Sequence, residues 1–81
     1  MNYRKTALYL VTVRTLSSVY LRAIESESLQ RAACAGVLDT LGIEVDPSWT
    51  FRRSPAFNAS RLLFLESAQR SIGVTAETLT N

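Results

Sequence analysis

Apolar residues in the first third of the chain recur at alternating steps of four and three: Tyr9, Val13, Leu16, Tyr20 and Ala23. That spacing is the seam of a packed helix. On a wheel of about 100° per residue Ile24 joins the seam, while Arg14, Ser18 and Arg22 share the opposite side. The pattern predicts one long helix over residues 3–24. The stretch LYLVTV inside it is rich in β-branched and aromatic residues, so a strand over residues 7–14 is the competing assignment. The seam outruns an ordinary strand, which favours the helix.

A second helix is expected over residues 27–41, with Ser26 or Ser28 as its N-cap. Leu29, Ala33, Val37 and Leu41 repeat every four residues, with Cys34 and Leu38 on the same side. Gly42 stands where a left-handed residue ends a helix, and Ile43 supplies the apolar residue after it. The segment IEVDPSWTFRRSP then reads as a connection. Ser54–Pro55 is a helix start, with Ser as cap and Pro at the first position. A third helix over residues 55–72 would carry Phe57, Phe64, Leu65, Ala68 and Ile72 on one side and Arg61 among its apolar positions. Gly73 would stop it, leaving TAETLTN as a short C-terminal turn. The expected fold is therefore all-α: a single domain of residues 1–81, a bundle of three helices, dimeric or docked on a partner.

Composition agrees with one small globular unit. The 81 residues are 47% hydrophobic and 20% charged, which is neither disordered nor membrane-spanning. Charge is unevenly spread. Residues 1–24 hold Arg4, Lys5, Arg14 and Arg22 and no acid, whereas residues 25–46 hold five acids against Arg31 alone. Eight of the nine cations are arginine, which favours planar, bidentate contacts over diffuse solvation.

The chemistry is narrowed mainly by what is missing. Histidine is absent and Cys34 is the one cysteine. The usual general base, the Ser-His and Cys-His pairs, an internal disulfide and a thiolate metal cluster all fall away. Cys34, on an apolar stripe, reads as a small hydrophobe, and an unpaired thiol suits a reducing, cytoplasmic setting. No glycine-rich phosphate cradle and no metal-ligand spacing occurs. No enzyme activity, cofactor or metal is expected. The tail ESAQRSIGVTAETLTN resembles the turn of a helix-turn-helix. However, Ala68 lies five residues before Gly73 and only six residues follow Thr75, too few for a helix that reads a major groove.

Two surfaces look unfinished in a lone chain. Trp49, Phe51, Arg52 and Arg53 crowd aromatics and guanidinium groups into a connection, the residue types enriched at binding hot spots. Leu8, Leu10, Val19 and Leu21 widen the apolar arc of the first helix beyond what one face can bury, with Leu8 and Leu21 the candidate contacts. Tyr9, Val13, Leu16 and Tyr20 then form a candidate dimer seam. The expected function is a non-enzymatic regulator or adaptor binding another protein, or itself as a homodimer. The alternative is a small DNA- or RNA-binding regulator that sets the same arginines on phosphates.

Overall fold

The computed structural model describes residues 5–53 and 62–79. Within these residues five strands and one α-helix make two layers. In chain order they are β1 (Ala7–Arg14), β2 (Val19–Ser26), α1 (Leu29–Leu41), β3 (Thr50–Arg53), β4 (Leu62–Ser67) and β5 (Ile72–Thr78). The sheet runs β2-β1-β5-β4-β3 and every neighbouring pair is antiparallel. This overturns the all-α expectation: among the described residues the fold is a five-stranded antiparallel sheet with a single α-helix, not a bundle of three helices.

The expected first helix is the hairpin β1–β2. Val11, Thr12 and Val13 are two β-branched valines and a threonine in a row, stiff side chains that pack better on a pleated surface than in a helix turn. The chain reverses at Thr15–Ser18. There the Thr15 hydroxyl accepts the Ser17 and Ser18 N–H groups at 3.3 and 3.0 Å, and Thr15 N–H donates to the Ser18 carbonyl at 2.8 Å. The seven-residue step from Val13 to Tyr20, two helical turns on a wheel, is a cross-strand pair instead.

The second expected helix is present as α1. The Ser28 hydroxyl caps it by accepting Arg31 N–H at 3.1 Å, and Gly42 closes it at φ 67°, its N–H donating to the Leu38 carbonyl at 2.9 Å. Leu29, Ala32, Ala33, Gly36 and Val37 face the sheet and are buried. In place of the third helix, residues 62–67 are β4, and Ala68–Arg70 make one 3-10 turn that Ser71 closes at φ 54°. The expected start at Ser54–Pro55, together with Phe57 and Arg61, lies outside the described residues. The C-terminal turn is β5, a strand inside the sheet, so the helix-turn-helix resemblance has no helical counterpart.

Between the layers, Val11, Val13, Ala32, Ala33, Val37, Leu65 and Ala76 are fully buried. Each valine or leucine so buried contributes on the order of 1.5–3 kcal/mol by transfer from water. Trp49 joins them from the connection. Asp46 and Pro47 begin a turn closed by Trp49 N–H on the Asp46 carbonyl at 3.1 Å, and it delivers the ring inward. No helix among the described residues is long and apolar enough to cross a membrane.

Candidate protein-binding face

In an antiparallel sheet, residues directly opposite on neighbouring strands share a face. The register therefore sorts the side chains. Tyr9, Val11 and Val13 lie opposite Ile24, Arg22 and Tyr20 on one side and Thr78, Ala76 and Val74 on the other, all under α1. The opposite face carries Leu8, Leu10, Thr12 and Arg14 of β1. Beside them are Val19, Leu21, Ala23 and Glu25 of β2 and Gly73, Thr75 and Glu77 of β5. Glu66 of β4 lies opposite Gly73. No helix packs on this face among the described residues.

By register Leu62 and Phe64 of β4, opposite Glu77 and Thr75, take positions on this face as well. On the β1–β2 side, Leu21 is 57% exposed and Val19 53%, with Leu8 and Leu10 half-buried between neighbours. Toward β3 the face also carries charge. Arg52 Nη2 lies 2.8 Å from Glu66 Oε1, and Arg14, Arg52, Glu66 and Thr75 ring a shallow depression floored by Gly73. A Cβ at Gly73 would meet nothing within 4 Å, so the floor is open. Arg14 is exposed and has no ion-pair partner among the described residues.

The aromatic-arginine segment is split by this geometry rather than presented as a unit. Trp49 is a core residue, 5% exposed. Phe51 is 37% exposed and lies opposite Leu65, on the helix side of the sheet. Arg52 is exposed, and its pairing with Glu66 puts it on the open face. Arg53 takes the β3 position opposite Leu63. Leu8 and Leu21, expected on the flanks of a helix, share the open face from adjacent strands but stand four positions apart in register, Leu8 opposite Glu25 and Leu21 opposite Thr12. Of the expected seam, Tyr9 and Val13 are buried beneath α1, Tyr20 packs at the core's margin, and Leu16 sits at the hairpin tip, 91% exposed.

Leu10 and Val19, which widen the expected apolar arc along with Leu8 and Leu21, lie on this face, and Arg14, Gly73 and Glu66 join it without having been expected at a contact surface. The signal that places the β1 members is the competing strand assignment over residues 7–14, which β1 matches. Cys34 sits half-buried on α1, where desolvation pushes its thiol up, partly offset by a backbone hydrogen bond. Among the described residues no cluster of His, Cys, Asp or Glu is placed to hold a metal ion. Comparison with protein-family models, curated proteins and solved structures returns no match.

Proposed function

We propose that this chain is a small non-enzymatic regulator or adaptor that binds another protein on the open face of its sheet, in a reducing, cytoplasmic setting. The contact surface is a sheet face rather than the helix flank that the sequence suggested. The observation that carries the reading is the inequality of the two faces. One is sealed by α1 over fully buried Val11, Val13, Leu65 and Ala76, while the other leaves Leu21 and Val19 more than half exposed. An apolar strip rimmed by Arg14 and Arg52 suits a partner that is apolar at its centre and acidic at its edge. Burial supplies affinity there, and charge sets orientation and association rate.

Binding of nucleic acid through the same arginines is the second reading. Charge argues against it: the open face sets Arg14 and Arg52 against Glu25, Glu66 and Glu77, and Glu66 already engages Arg52. The test is capture from native extract on the immobilised chain, with and without nuclease, beside the Leu10→Glu variant. A protein retained after nuclease and lost with Leu10→Glu, whose circular dichroism matches the parent, supports the reading. A ligand lost to nuclease, with log affinity falling steeply and linearly with log salt, would replace it with the second. Capture indifferent to Leu10→Glu removes this face from consideration.

A further inference from the structure

The two edges of the sheet are not alike. β3 is four residues long and carries Arg52 and Arg53, while β2 is eight residues long with Arg22 its one cation. Short, charged edges resist pairing with another chain; long apolar ones invite it.

The hairpin turn fixes which backbone groups β2 presents. Thr15 N–H donates to the Ser18 carbonyl, and bonded and non-bonded pairs alternate along an antiparallel ladder. Val13–Tyr20 and Val11–Arg22 are therefore bonded pairs. The N–H and C=O groups of Val19, Leu21, Ala23 and Glu25 point out to the free edge. Two further contacts obey the same alternation. Leu79 N–H reaches the Leu8 carbonyl at 2.8 Å on the far side of β1, and Arg22 Nη1 donates to the outward Leu21 carbonyl at 2.9 Å.

We infer that this edge pairs antiparallel with β2 of a second copy of the chain, about a two-fold axis through Leu21, so that two sheets become one. The axis position follows from the side chains. Centred on Leu21, the pairing sets Leu21 against Leu21 and Val19 against Ala23 of the second copy, apolar on apolar along the open face. On the helix side it sets Arg22 against the ring of Tyr20, a cation–π arrangement. Centred on Arg22, it would oppose two guanidinium groups; centred on Ala23, it would set Leu21 against Glu25; centred on Tyr20, it would lose one bonded pair. The carbonyl that Arg22 touches keeps a second lone pair for the partner's N–H.

The helix side of the same edge is also self-complementary. Arg22, Ala23 and Ile24 with Ala35, Leu38 and Asp39 of α1 line an open groove there, and Leu38 is 51% exposed. A two-fold axis normal to the sheet places both α1 helices on one face, with Leu38 toward its mate. Each Arg22–Asp39 pair, at 3.0 Å, then stands across from the other, cation toward anion. The association uses the sheet's edge, so it goes beyond the open-face binding proposed above, and either stands without the other.

The test uses the full chain in a Cys34→Ser background. Light scattering should show a concentration-dependent dimer with a Kd in the micromolar range, as a small interface implies. Under mild oxidation Leu21→Cys should form a disulfide-linked dimer. Ala23→Cys should stay largely unlinked, because its own copy lies about 13 Å away in this register. Leu21→Lys should weaken the dimer by about 100-fold through like charges on the axis, with unchanged circular dichroism. Monomer mass at about 100 µM overturns the inference, and so does open-ended assembly. Cross-linking more efficient at position 23 than at 21 overturns it as well.

Discussion

Val11 and Gly36 touch where α1 crosses β1: a Cβ on Gly36 would fall 2.4 Å from Val11 Cγ1 and 3.1 Å from Val11 Cβ. Val11 is fully buried and β-branched, so it has no alternative rotamer to retreat into. Gly36→Ala should therefore destabilise the fold by about 1–3 kcal/mol, despite the gain of roughly 1 kcal/mol in helix propensity. Urea denaturation measures this, and the loss should shrink in a Val11→Ala background. A stabilised Gly36→Ala protein would mean that the helix stands farther from the sheet.

Trp49 Nε1 is buried with no hydrogen-bond partner among the described residues. Removing an orphaned donor recovers about 1–3 kcal/mol of desolvation, which opposes the cavity left by a smaller ring. Trp49→Phe should change stability by less than about 1 kcal/mol, whereas Trp49→Ala should cost about 3–5 kcal/mol. Equal losses in the two variants by chemical denaturation would show that the indole N–H is bonded after all.

The Arg52–Glu66 pair is exposed at both ends, 62% and 46%, and such pairs contribute about 0–1 kcal/mol. The double variant Arg52→Ala, Arg53→Ala should keep its melting temperature within a few degrees while losing partner capture. An unfolded double variant would make this strand structural and remove it from the contact surface.

Asp46 holds its carboxyl below the usual range, first through the Ser48 hydroxyl and then through the Ser48 N–H, with Arg70 adding a smaller attraction. A depressed native pKa contributes stability above the unfolded carboxyl pKa, and that stability fades as pH falls through the native value. Asp46→Asn should lower the urea midpoint at neutral pH and converge with the parent in acid. A difference that instead grows on acidification would contradict the sign.

Helix α1 was legible because its signals are local. Ser28 before an apolar repeat and Gly42 after it act within one turn, whatever lies elsewhere. The hairpin was legible only in part: β1 matches the competing strand over residues 7–14, while β2 was hidden and the helix preferred because both faces of β1 are apolar. Leu8 and Leu10 fill the polar slots that would have shown an alternation with Tyr9, Val11 and Val13. β5 did alternate, with Ile72, Val74 and Ala76 buried and Gly73, Thr75 and Glu77 between them, yet Gly73 resembled a helix stop. The candidate face suffered most. Leu8 and Leu21 stand out in the sequence for excess apolarity, but their shared surface exists only once β1 and β2 pair, and Arg52 joins it only across β5 and β4.

The strand order has a temporal corollary. β5, the last of the described elements in chain order, sits between β1 and β4, its ladder running from Tyr9–Thr78 to Arg14–Gly73. It is the keystone: a nascent polypeptide emerging from the ribosome can form its hairpin and its helix, yet holds two disconnected half-sheets until residues 72–78 arrive. Closure across so wide a sequence gap makes completion abrupt and late, so clipping the chain ahead of Ile72 takes out the middle of the protein, not its fringe.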